Sequence, residues 1–432
     1  MAPRRFRLFW TGDTISAAGG ALSAVALPLL AIETLHASDA EVGVLRAAQT
    51  LPFLLLAVPV GLLADRVSRR RLLLTADLAR APLVLAIALA GAALPVSGLV
   101  ALVFLIGVGT VAYEVAYLSV LPELVDSRSS LPAANRAVES SHAAVSLIGP
   151  AVGGALVAAL GAAAVVAIDA VSFAVGALFT AVNRWPSGGS GFRRRPQAAR
   201  ELAAGWTWLW ADGYVRPLTS YLAVNNLAAQ AFQTALLLFV VRTLERGAAA
   251  VGFAVAATGF GFLSGALVSP GAARRFGTGR VLVIASLLGA LGVALVAVSA
   301  GLPLVVAGSA LAGLGSGLFN LHSIAVRQAV TPPPLLGRVN AVVKTISYGA
   351  TTVGALAGGL AAAALGPRAV IGAAAVVSLG ATACLLTPAV RTLTGIPEPA
   401  APASDRRDGV EEPTVSAHDR SDGADKAGHA DD

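Results

Sequence analysis

The chain has 432 residues, of which 56% are hydrophobic and 13% charged, and its formal net charge is +7. Mean hydropathy is +0.76. So apolar a chain is neither intrinsically disordered nor an ordinary soluble domain, and its basic residues punctuate long apolar runs instead of clustering as a nucleic-acid surface would.

A helix of about 20 apolar residues crosses a hydrocarbon core. Twelve such runs lie near 12–34, 42–64, 71–93, 98–119, 139–160, 163–183, 217–241, 248–270, 280–300, 303–325, 341–364 and 368–390. The first follows Arg4, Arg5 and Arg7, as a signal peptide would. It is too long for a signal h-region and contains Asp13 and Glu33, so it reads as a retained helix. The second-to-third loop carries Arg66, Arg69, Arg70 and Arg71. The central loop carries Arg184, Arg193, Arg194, Arg195 and Arg200, and the eighth-to-ninth loop Arg274 and Arg275. The alternate loops are poor in basic residues. That bias predicts a multi-pass plasma-membrane protein with both termini cytoplasmic. Residues 1–183 are then an N-terminal six-helix bundle, 184–216 a cytoplasmic central loop, 217–390 a C-terminal six-helix bundle and 391–432 a disordered tail rich in Pro, Ala, Asp and Glu. The RRR and aromatic GWTWLW of the central loop fit either a short amphipathic helix on the inner leaflet or a linker with no further role.

The two halves echo each other. PAANRAVESSHAAVSLIGPAVGGAL (132–156) resembles GRVNAVVKTISYGATTVGALAGGL (337–360), matching Asn135 to Asn340, Gly149 to Gly354, and Gly153 and Gly154 to Gly358 and Gly359. The loop GLLADRVSRRR (61–71) has a weaker echo in 265–280, where Ser269 stands at the place of Asp65. The fold expected is all-α, with twelve transmembrane helices in two pseudo-symmetric bundles, the parallel-repeat architecture of large transporters.

Cys384 is the one cysteine, so neither an intrachain disulfide nor a Cys-based metal site is expected. The five histidines lack metal-ligand spacing, and no phosphate-binding loop or catalytic triad is visible. The expectation is a non-enzyme with no metal, cofactor, nucleotide or nucleic-acid partner, driven by an ion gradient.

At GLLADRVSRRR the chain resembles the loop 2–3 signature of the major facilitator superfamily. LLLTADLARAPLV (72–84), VAYLSVLPELV (115–125), AIDAVSF (167–173), ELAAGWTWLW (201–210) and VRQAVTPPPLLGRVNA (326–341) make it similar to the macrolide-efflux and enterobactin-exporter-like branch. The resemblance implies alternating access, a cavity lined by helices 1, 4, 7 and 10, a monomer, and proton-coupled export of an amphipathic molecule such as a drug, macrolide or siderophore. It also implies a conformational gate in the loop motif, formed by Gly61, Asp65, Arg66, Arg69 and Arg70. There Asp65 meets the start of helix 11 near 338–341.

Ionisable residues inside spans are costly and mark mechanism. Glu114, Asp77, Arg80 and Asp13 are therefore the proton-coupling candidates. Asp77 and Arg80 are three apart on one helix face and can pair. Arg46 and Lys344 are expected to snorkel toward the span ends, and Asp169 to be structural. Polar residues recur at helical spacing on four helices: Ser16 and Ser23 beside Asp13; Thr110, Tyr113 and Tyr117; Asn226, Gln230 and Gln233; Ser316, Asn320 and Ser323. Each set occupies one face and lies on a helix that the resemblance places around the cavity. Two other functions stay open: import or facilitated passage of a metabolite, and a transport-dead sensor or assembly partner, which the degenerate second loop favours.

Overall fold

A computed structural model describes residues 3–64, 67–183 and 198–397. Among these, twelve helices are long and apolar enough to cross a membrane. A backbone without water must satisfy its own N–H and C=O groups, and a helix does so within one segment. The first six are α1 (Arg4–Leu29), α2 (Asp39–Ala64), α3 (Arg69–Ala90), α4 (Val96–Leu124), α5 (Leu131–Leu160) and α6 (Ala162–Val182). A short helix, α7 (Ala198–Ala211), precedes α8 (Val215–Leu238), α9 (Ala248–Phe276), α10 (Thr278–Ala297), α11 (Leu302–Val330), α12 (Pro333–Leu365) and α13 (Pro367–Ala381). In the first bundle α1 packs on α5 and α6, α3 on α4 and α6, and α2 on α4. In the second, α11 packs on α9 and α10, and α8 on α12 and α13. Between bundles, α2 meets α12 and α5 meets α9.

The repeat is visible in backbone detail. α1 and α8 each end in a five-residue π-helical turn, Leu30–Thr34 and Phe239–Thr243. Each turn is followed by a residue in the left-handed region, His36 at φ 52° and Glu245 at φ 51°. The same hydrogen bonds close both turns, Leu35 N to Leu30 O and Leu244 N to Phe239 O. Gly161 and Gly366, both at φ 82°, make equivalent corners after α5 and α12. Glycine carries no Cβ penalty there. Between the first π turn and α2, Ser38 and Glu41 form a capping box. The Glu41 carboxylate accepts from Ser38 N and Oγ at 2.8 Å, and Glu41 N donates to Ser38 Oγ.

The bundles are joined at one end and apart at the other. At the end opposite the termini one apolar core runs through both, with Leu29, Leu30, Leu45 and Val165 of the first beside Phe232, Leu236, Phe239 and Ile371 of the second. At the terminal end each bundle keeps its own core: Phe6, Phe9, Leu73 and Leu124 in one, and Leu218, Tyr221, Leu282 and Leu385 in the other. The joined end is held by glycines that allow backbones to touch. A Cβ on Gly43 of α2 would lie 2.6 Å from Gly359 Cα of α12, and one on Gly154 of α5 would lie 2.8 Å from Gly252 Cα of α9. These two contacts are related by the repeat. Gly154 and Gly359, matched in the sequence, thus meet equivalent partners across the bundle interface. Toward the terminal end α2 meets α12 where Phe53 stacks on Tyr348, and α5 meets α9 where Gly259 approaches Ser146. Beyond them Glu139, Arg136 and Lys344 are exposed.

α7 lies against the start of α12, with Leu209 packed among Val339, Val342 and Val343, while Trp206 and Trp210 are exposed. Several boundaries differ from expectation, α5 starting at Leu131 and α12 at Pro333 among them. α1 starts at Arg4 and α8 at Val215, and the folded body continues past 390. Leu393 is 9% exposed and its carbonyl accepts from Gly279 N at 2.8 Å. The rest of the expected tail lies outside the described residues.

Candidate functional site

Five helices of the first bundle converge on a cluster of ionisable groups. Asp13 of α1 is 4% exposed. Its Oδ2 lies 2.8 Å from His142 Nε2 of α5, and its Oδ1 accepts from the Tyr113 hydroxyl of α4 at 2.9 Å. The His142 ring stacks on Tyr117, with centroids 5.6 Å apart, and Tyr117 in turn stacks on Phe9. On α3, Asp77 and Arg80 form a buried ion pair, as their spacing predicts. The Arg80 guanidinium is sandwiched between the rings of Tyr113 and Phe173, at 4.7 and 4.2 Å, and donates to Thr110 Oγ1 at 3.4 Å. Such cation–π contacts partly replace lost hydration. Gly109 makes room for Arg80, since a Cβ there would stand 2.7 Å from Arg80 Cγ. Asp169 of α6 completes the cluster beside Gly19 and accepts from Ser172 Oγ at 3.1 Å.

The buried cluster therefore holds three carboxylates, Asp13, Asp77 and Asp169, against one guanidinium, with His142 as the remaining group able to carry positive charge. Removing one partner from a buried ion pair costs about 3–5 kcal/mol. Glu114 lies apart. It is exposed at the gap between bundles, where the charge of Lys344 on α12 acts on it together with those of Arg80 and His142.

The polar stripes divide. Thr110, Tyr113 and Tyr117 are part-buried around the cluster, Asn226, Gln230 and Gln233 part-buried on α8, and Ser316 and Asn320 exposed on α11. Ser16 and Ser23, expected on the cavity wall, are buried instead. Gly12 and Gly19 bring α1 tight against α6 on that face, so the stripe on α1 serves helix packing. Ser323 is also buried, beside His322, whose Nε2 lies 2.8 Å from Ser269 Oγ.

Of the loop motif, Asp65 and Arg66 lie outside the described residues. A Cβ on Gly61 would meet nothing. Arg69 pairs with Glu123 at the end of α4. Arg70 donates to the carbonyls of Thr180 and Ala181 at 3.4 and 2.6 Å, at the negative end of the α6 dipole. Both contacts lie within the first bundle.

Three features were missed from sequence. His142 was weighed only as a metal ligand, although it lies seven residues before Gly149 in the repeat. Asp39 of α2 pairs with Arg242 of the second π turn, which also donates to Ala37 O, so an ion pair ties the bundles at their joined end. Thr50 and Thr352 hydrogen-bond across the same interface at 2.9 Å.

Comparison with known proteins decides what these bundles are. Residues 1–421 match a family described as a transmembrane secretion effector. The chain belongs to that family. It is a major facilitator protein, a multi-pass membrane transporter of small molecules and not an enzyme. The multidrug efflux pump Tap of Mycolicibacterium fortuitum is 28% identical to this chain over 366 residues, covering 80% of this chain and 87% of the pump. Two solved structures share its fold. The nucleoside transporter NupG superposes with a TM-score of 0.69 at 14% identity, over 89% of this chain and 100% of that one. An inward-facing, unoccupied bacterial homolog of the human lysosomal transporter Spinster superposes at 0.67 and 15% identity, over 89% and 97%.

Proposed function

We propose that this transporter exports a small amphipathic organic molecule across the plasma membrane by alternating access, in exchange for protons. The observation that carries the reading is the placement of the carboxylate cluster. It lies inside one bundle, with His142 and Tyr117 on helices that border the gap between the halves. Proton binding there changes the charge of α1 and α5. α5 is also the helix that seats Pro150 and Gly154 on Gly252 of α9. Charge and interface are thus linked through one rigid element, which is what a proton-driven switch between two packings needs.

The Arg-rich loops favour a cytoplasmic position for the termini, and with them for the open end. The arrangement is then inward-facing, loaded from the cytoplasm and closed outside by the two glycine contacts and the Asp39–Arg242 pair. Export as the direction, and a drug-like cargo, are supported by the Tap relative. The twelve spans enclose a whole pathway, which favours a monomer. The test is flux in proteoliposomes under an imposed pH gradient across a panel of antibiotics and dyes. Accumulation of at least one compound, abolished by a protonophore, supports proton-coupled transport. Flux indifferent to every gradient contradicts it.

A further inference from the structure

Arg46 stands two turns into α2 from the joined end and has no partner among the described residues. Its Nε is buried and makes no hydrogen bond, and no carboxylate acts on it. Several other arginines of the spans differ. Arg80 has Asp77, Arg69 has Glu123 and Arg242 has Asp39, while Arg327 has the Asn340 side-chain oxygen. An ionic group left uncompensated inside a membrane span is costly and by default functional.

Helical spacing and the interface contacts locate it. Arg46 precedes Thr50 by one turn and Phe53 by two, on the face of α2 that meets α12 through the Thr50–Thr352 hydrogen bond and the Phe53–Tyr348 stack. Its level follows from the α12 contacts. Gly359 packs on Gly43, and Gly358 on Ala231 of α8. Below them Thr352 meets Thr50, and Gly354 packs on Leu227 of α8. Arg46 lies between Gly43 and Thr50, and Gln230 between Leu227 and Ala231. The two side chains therefore belong to one layer of the bundle interface, above the gap. The Phe53–Tyr348 stack, with centroids 4.8 Å apart, lies beyond the Thr50–Thr352 contact toward the gap.

We infer that Arg46 is a substrate-binding residue that takes an acidic group of the transported molecule, with Gln230 as a second donor and the Phe53–Tyr348 stack receiving an adjoining flat ring. The ligand class is an organic anion carrying a carboxylate or similar planar acid beside an aromatic system. A guanidinium presents a planar fork that fits such an acid through two parallel hydrogen bonds. The inference rests on the transport reading, which makes the gap a substrate path. It adds the charge of the cargo and a counter-charge for the one lone arginine of this interface layer.

The test is binding to the full-length protein in detergent, read by fluorescence titration with dansylglycine, a carboxylate, and with dansylglycinamide, its neutral analogue. The wild-type protein is expected to bind the acid about tenfold more tightly than the amide. Arg46→Gln is expected to lose that preference while holding the amide within about twofold. Arg46→Lys should keep part of it, as a point charge without the fork. In a second measurement, dansylglycine but not its amide should protect Arg46 of the wild-type protein from phenylglyoxal, followed by mass spectrometry; this stands even if Arg46→Gln fails to fold. The inference is overturned by a wild-type protein without preference, by a preference that survives Arg46→Gln, by equal loss of both probes in that variant, or by absence of protection. Proteoliposome flux distinguishes the two levels. A protein that moves compounds yet shows no acid preference refutes this inference alone, and one that moves nothing under any gradient refutes the transport reading.

Discussion

His142 Nε2 lies 2.8 Å from Oδ2 of Asp13, and the two residues belong to different helices of the same bundle. The contact ties α5 to α1 at a carboxylate that is almost wholly buried. Four residues further along α5 Ser146 packs against α9, and eight residues further Pro150 does. Any change in the charge of the pair is therefore felt by the helix that closes one side of the molecule.

His142→Gln keeps a hydrogen-bond donor but cannot take up charge. Gradient-driven flux is expected to fall about tenfold or more, and its pH dependence to flatten between about pH 5 and 8, where an imidazole changes charge. The measurement is initial transport rate against pH at fixed gradient. A wild-type profile in the variant would remove His142 from the coupling.

Thr50 and Thr352 supply a reporter of the joined end. Their hydroxyl oxygens are 2.9 Å apart, close enough for cysteines at the same positions to bridge. In a Cys384→Ser background, Thr50→Cys with Thr352→Cys should cross-link under mild oxidation and stop transport, with activity returning on reduction. Adding Gly359→Ala should cut the cross-link yield several-fold, because the new methyl would press on Gly43. Equal yields with and without the alanine would show that the glycine contact does not govern closure.

The Asp39–Arg242 pair joins α2 to the second π turn. Arg242 is partly exposed, so the pair should contribute about 1 kcal/mol, a few-fold shift between states. Asp39→Asn is expected to lower the same cross-link yield by that factor, and the charge swap Asp39→Arg with Arg242→Asp to restore part of it. A double variant no better than the single ones would make the contact incidental.

Much of this was legible before any coordinates. The twelve runs became twelve helices because hydrophobic length is a demand of the bilayer itself. Gly154 and Gly359 stood out through the repeat, and Asp77 and Arg80 through their spacing. What was not legible was direction around the helix. Asp13, Ser16 and Ser23 form one stripe, yet only coordinates show that tight packing of Gly12 and Gly19 on α6 turns that stripe inward. His142 was invisible for a related reason. A histidine acquires its meaning from a partner more than a hundred residues away, and no local pattern announces Asp13. Arg46 reads from its depth as a snorkelling residue; its place on the α12-facing side of α2 came only from the structure.

Asp13 is the residue on which the account turns, and comparing two modes of transport tests it most directly. Asp13→Asn in proteoliposomes should still exchange labelled for unlabelled substrate at equal pH on both sides, because exchange needs no net proton movement. It should lose uphill accumulation under a pH gradient by about tenfold or more, the consequence of fixing a buried group that must change charge. Accumulation at the wild-type level in that variant would contradict proton coupling through the cluster.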